Sequence, residues 1–305
     1  MTALVAPRPM PTPETAVFLV LGAASVAWLA LDGAAGTGGG LVLMLAIAVA
    51  IAGLPHGALD PWVSHRAGLW RTRLGFAAFH LAYLALAALV LVVWQWAPGI
   101  SLAAFLAISA WHFAGDWRDH LPAWARALAG TALLALPAWR WPSEVTSAFV
   151  LLSGTEGAAI ASVLAEMAPW LALGIVGTAL MALRRSTTAA IELVAVASLA
   201  LLLPPLVYFI VYFCALHSLR HLRLATIGAA PDARRRMAGV AFLYTALTLL
   251  AATIAWPWLR EAGAQAGTPA WSGDLLRLVF IGLAALTLPH MLVVMHAERA
   301  EGLKP

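Results

Sequence analysis

Two histidines four residues apart, His217 and His221, close the apolar stretch Val207-Tyr-Phe-Ile-Val-Tyr-Phe-Cys-Ala-Leu-His-Ser-Leu-Arg-His221. On a helix this spacing is little more than one turn. Both imidazoles therefore share a face, with Cβ atoms ~5–6 Å apart, close enough to bind one metal ion. Three further histidines stand near helix ends: His56 in Gly53-Leu-Pro-His-Gly-Ala-Leu-Asp60, His112 in Trp111-His-Phe, and His290 in Leu288-Pro-His. A neutral imidazole is a good ligand for Fe, Zn, Cu or Ni. One histidine in a membrane helix is often only a hydrogen-bond donor to its neighbour. Five such rings at one level of an apolar bundle are hard to justify energetically without a cation, so a shared metal site is expected.

The surroundings of these rings repeat. Leu54-Pro55-His56 and Leu288-Pro289-His290 are the same tripeptide, and each proline frees a carbonyl one turn back, which can kink the helix and aim the following ring inward. Asp60 and Asp116 each follow a histidine by four residues and are expected to orient ligands from across the site. The alternative pairs them with Arg66, Arg118 or Arg220 at the membrane interface. Trp111, Phe113, Tyr208, Tyr212 and Phe213 are candidates for lining an apolar substrate tunnel, and packing or an interfacial belt is the other reading. His65, His80, His120 and His296 are left outside the ligand set. The single cysteine, Cys214, excludes an internal disulfide and a thiolate cluster.

The elements that must position these residues follow from composition. Of 305 residues, 63% are hydrophobic and 10% charged, and the mean hydropathy is +0.89. A globular chain carries about 25% charged residues, so this is an integral membrane protein, and its long apolar runs without strand alternation predict helices. The expected fold is an all-α polytopic bundle of about ten transmembrane helices forming a single domain over 1–305. An irregular proline-rich tail is expected over 1–14, and a partly inserted or surface segment over 143–164. Ala16 to Leu31 reads as an uncleaved first helix rather than a signal peptide. The net charge of +4 and pI near 9.8 come from short arginine clusters between apolar runs. These suit membrane topology rather than nucleic acid and put both termini in the cytoplasm. His56, His112, His217, His221 and His290 then lie at similar depth, near the cytoplasmic ends of helices that run inward.

At these residues the chain resembles the Brp/Blh family of bacterial membrane β-carotene 15,15′-dioxygenases. The blocks that carry the likeness are Gly53 to Asp60, Trp111-His112-Phe113 and Tyr212 to His221, with Pro289-His290 near the end. The resemblance implies an Fe(II) enzyme of the inner membrane that uses O2 to split the central double bond of β-carotene into two retinals. It also implies His56, His112, His217 and His221 as iron ligands, with His290 as a nearby second-tier residue. Four neutral histidines leave Fe(II) its full positive charge and up to two open positions, room for O2 beside a substrate that need not ligate the metal. The rivals are a membrane di-iron desaturase or hydroxylase, which needs about eight histidines, a bis-histidine haem protein for electron transfer, and a transporter.

Overall fold

A computed structural model of the chain describes residues 11–32, 39–259 and 270–300, and among these no strand occurs. In a hydrocarbon solvent every backbone N–H and C=O must find an internal partner, and a helix supplies it within the segment. In chain order the helices are α1 (Pro13–Asp32), α2 (Gly39–Arg66), α3 (Arg73–Trp96), α4 (Pro98–Trp117), α5 (Ala123–Arg140), α6 (Pro142–Ser153), α7 (Glu156–Leu183), α8 (Thr187–Leu202), α9 (Pro205–Thr226), α10 (Pro231–Leu259) and α11 (Ala270–Ala300). Eight of them are long and apolar enough to cross a membrane, and α8 is a shorter apolar helix. The chain is thus an all-α polytopic membrane bundle, with eight full-length candidate spans where about ten crossings were expected.

Sequence sets the helix starts. Pro98, Pro142 and Pro205 each stand in a first turn, where the missing N–H costs nothing. Thr72 and Ser186 cap α3 and α8 by accepting from the N–H of Gly75 at 3.0 Å and of Ala189 at 3.2 Å. The segment 143–164 divides differently from the expectation. Residues up to Ser153 form α6, and α7 already begins at Glu156. Glu144 and Glu156, whose charge argued against a crossing there, occupy first turns, where a carboxylate meets the positive end of the helix dipole. Helix α2 likewise runs on to Arg66, past Asp60, where a basic loop was expected. The tail before residue 11, the turn at 33–38, the polar loop at 260–269 and the basic end after Ala300 lie outside the described residues.

Helix α9 is the centre of the bundle. In its most apolar window 56% of residues are buried, against 0% for α3 and 6% for α10, whose outer faces are left for lipid. Helix α5 packs against α4, α7 and α8 through an alanine-rich face buried at Ala125, Ala129, Ala132 and Ala135. Its approach to α4 is close. A Cβ on Gly130 would lie 2.0 Å from the Ala110 carbonyl oxygen, so only glycine admits this contact. The contact fixes α4 two residues before His112.

An ionic cluster braces α1, α8 and α9. Glu14 accepts two hydrogen bonds from Arg223, each of 2.9 Å, while Glu192 accepts from Arg220 at 2.5 Å, from the Trp117 indole at 3.2 Å and from Thr15. Buried charges persist only when paired in this way.

Candidate metal centre

Two local departures from α geometry deliver the histidines. Val49–Gly53 in α2 and Ile210–Ser218 in α9 are wound as π-helix, with one extra residue per turn. Such turns occur mostly where a helix presents functional groups. The first leads into Leu54-Pro55-His56, where Pro55 has no N–H to continue the ladder, and the second contains His217. The two segments touch at Gly53, where a Cβ would lie 2.7 Å from the Phe213 ring.

The five histidines meet. Ligand nitrogens of His56, His112 and His217 all lie within 4.8 Å of one another. His112 Nε2 and His217 Nε2 are 3.0 Å apart, and two nitrogens ~2.1 Å from one ion and at right angles about it are separated by ~3.0 Å. Ring centroids are 4.5 Å apart for His217–His221, 4.6 Å for His112–His217, 5.0 Å for His112–His290 and 5.2 Å for His56–His290. The remaining close pairs are His112–His221 at 5.3 Å, His56–His217 at 5.5 Å and His56–His221 at 5.9 Å. Imidazoles sharing an ion have centroids ~4.5 Å apart when adjacent and ~6.5 Å when opposed. All seven separations fall within that interval.

Three of the rings are locked in the tautomer that exposes Nε2. His56 donates from Nδ1 to the Gly53 carbonyl at 2.5 Å. His217 donates to Asp116 at 3.1 and 3.2 Å, and His290 to Asp60 at 2.8 and 3.0 Å. Each aspartate thus serves a histidine from another helix rather than the one four residues before it. Tyrosines complete both arrangements, Tyr212 donating to Asp116 at 2.7 Å and Tyr83 to Asp60 at 2.9 Å. A carboxylate behind a ligating histidine fixes its orientation and raises its basicity. Arg220 reaches the Asp116 backbone oxygen, 3.1 Å away, and Arg118 pairs with Glu298 at 2.5 Å. His221 Nε2 lies 3.7 Å from Asp116 and groups with it and His217, at the more open edge of the cluster, its side chain 27% exposed.

A cavity of about 830 Å³ adjoins the cluster. His56, His112 and His290 line it, together with Phe113, Tyr208, Tyr212 and Phe213 and with apolar residues of α3, α4, α6, α10 and α11. Trp111 does not, against expectation. It is 46% exposed and borders a separate small cleft beside Arg118, Arg126 and Glu298. Successive helix residues point ~100° apart, so turning His112 inward turns Trp111 out. Two wall features escaped the sequence. Tyr83 is a lone tyrosine in an apolar helix, and His80, passed over for want of a motif, accepts from the Tyr244 hydroxyl at 2.6 Å on the cavity wall.

The cluster can therefore hold a metal ion: imidazoles converge, three of them are oriented by a hydrogen bond at Nδ1, and the buried Nε2 of His290 has no hydrogen-bond partner. Comparison with known proteins agrees with this chemistry. The family model described as beta-carotene 15,15′-dioxygenase matches residues 47–297, which contain all five histidines. A curated beta-carotene 15,15′-dioxygenase of an uncultured marine bacterium, 66A03, is 32% identical over 258 residues, 82% of this chain and 91% of the relative. No solved structure matches significantly. On this match, the chain belongs to the β-carotene 15,15′-dioxygenase family.

Proposed function

We propose that the protein is a carotenoid-cleaving dioxygenase of the plasma membrane that splits the central 15,15′ double bond of β-carotene with O2. His56, His112, His217 and His221 would hold iron(II). The observation that carries this reading is the contact between the histidine cluster and an apolar cavity large enough for a long hydrocarbon, in a chain of this family. Cavities of ~300–1,000 Å³ are typical for ligands that are mostly buried. One alkene and one O2 become two aldehydes, with no other reactant and no net proton transfer, so no side chain is needed as nucleophile or general base. Bound in the cluster, iron supplies the activation of O2.

The chain's own residues do the rest. Asp116 and the Gly53 carbonyl hold the protons of His217 and His56 at Nδ1, keeping Nε2 free to ligate. Phe113, Tyr208, Tyr212 and Phe213 give the polyene an aromatic wall that excludes water and fixes which bond lies beside the cluster. A substrate that dissolves in bilayers reaches such a cavity from the lipid, which suits a chain with eight helices apolar enough to cross a membrane among the described residues.

Expression of the full chain in a β-carotene-producing bacterium tests this directly. The orange colour is expected to fade as retinal accumulates. Membranes that contain the protein under aerobic growth and keep their β-carotene would sink the proposal.

A further inference from the structure

We infer that His290, from α11, is itself a ligand of the metal, presented on the cavity side of the cluster by Asp60 and Tyr83. The inference rests on the proposed function only in requiring that a metal binds here.

Four observations converge. First, the His290 side chain is more than nine-tenths buried, and its Nε2 has no hydrogen-bond partner. Its Nδ1–H is already given to both oxygens of Asp60, so Nε2 carries a lone pair with nothing to accept. A buried acceptor without a donor is an unusual state, and a cation relieves it. Second, the ring stands edge-on to two of the candidate ligands, 5.0 Å from His112 and 5.2 Å from His56, at 82° and 87°. These separations lie between those of adjacent and opposed ligands of one ion.

Third, the arrangement repeats the one behind His217. Tyr212, Asp116 and His217 are linked as Tyr83, Asp60 and His290 are, hydroxyl to carboxylate to Nδ1–H. The first set ends with an Nε2 that faces the Nε2 of His112. Such support behind a histidine is characteristic of a ligating one. Fourth, the side facing the cavity is made by His56, His112 and His290, whereas His217 and His221 do not line it. Ligation by His290 would leave fewer positions for exogenous ligands than a set of four.

The test reads the metal rather than the product. Purified full-length protein, loaded anaerobically with Fe(II), is examined by iron K-edge X-ray absorption, which counts coordinated imidazoles, and by competition with a chelator. His290→Ala is expected to remove one imidazole from the iron shell and to weaken iron retention at least ~10-fold. In His290→Gly, added imidazole is expected to restore the count. Asp60→Asn keeps the ring, so the count stays while retention weakens, which guards against a His290 variant that fails to fold. An unchanged imidazole count and unchanged retention in His290→Ala would overturn the assignment and leave the dioxygenase reading standing. Wild-type protein that takes up no iron would overturn both.

Discussion

Tyr212, Asp116 and His217 come from α9 and the end of α4; of the three only Tyr212 touches the cavity, and the side chains of both Asp116 and His217 are fully buried. Tyr83, Asp60 and His290 draw on α3, α2 and α11, and all three border the cavity. The hydrogen bonds are the same, but their setting differs. Behind the first set, Arg220 bonds the Asp116 backbone and ties it to Glu192, which also holds Trp117. The tyrosine of the second set stands on α3, a helix whose apolar window has no buried residue. The enclosed arm is fixed by a charged brace, whereas the cavity arm is held by the packing of three helices. On the proposed function, the first set would hold a ligand still, and the second would put one where substrate arrives.

The strongest way to break this contrast is to remove the ligand of the enclosed arm. His217→Ala deletes the ring nearest both His112 and His221 and leaves Asp116 buried with an unmet oxygen. Iron content is expected to fall to background, and retinal production with it. A purified variant that kept both would refute the site. Asp116→Asn is gentler. It preserves volume but exchanges an ionised acceptor for an amide, and loss of such a partner typically costs ~10–100-fold in metal affinity. Chelator competition should show that loss to be larger than the corresponding loss in Asp60→Asn, because Asp116 contacts His217 and also lies 3.7 Å from His221. Equal losses would mean that the brace adds nothing.

Much of this could be read in the sequence because its physics is local. Low charge and long apolar runs dictate a helical membrane bundle. The separation of four residues in His217/His221 survives winding as π-helix, with centroids 4.5 Å apart. Asp60 and Asp116 bond histidines of other helices, as a buried carboxylate needs a partner, but their spacing in the sequence left pairing with arginine equally open. Other features depend on neighbours the sequence does not name. Tyr83 looks like any packing residue until α11 brings His290 beside Asp60. Trp111 was misread because a motif marks a stretch of chain, whereas a helix divides that stretch between two faces. The π turns lie where α2 and α9 meet at Gly53 and Phe213, a tertiary contact.

The tyrosines sharpen the comparison at smaller cost. Tyr212→Phe and Tyr83→Phe each remove one hydroxyl donor from a buried carboxylate, with an expected loss of about 1–3 kcal/mol in the stability of the local arrangement. In the enclosed arm that loss should appear as a lower melting temperature of the metal-loaded protein, since Tyr212 is completely buried beside the brace. In the cavity arm it should appear chiefly as a changed KM for carotenoid, because Tyr83, Asp60 and His290 all line the cavity, whereas of the enclosed arm only Tyr212 does. If both variants lower the melting temperature alike and leave KM untouched, the arms do not differ in role.

The smallest effect is expected at Trp111, and it serves as the reference for the rest. The residue adjoins His112 in sequence, yet its ring is 46% exposed and contributes nothing to the cavity wall. Trp111→Ala should therefore leave iron content and KM within error. Phe213→Ala, on α9, should raise KM, since Phe213 lines the cavity and stacks on His217 at 5.8 Å with an interplanar angle of 18°. An aromatic interfacial anchor can still matter for how a helix sits in the bilayer, so Trp111→Phe provides the control that keeps an apolar ring there. A loss of iron in Trp111→Ala that Trp111→Phe does not rescue would mean that the small cleft beside Arg118 and Glu298, and not the two carboxylate arms, governs the position of His112.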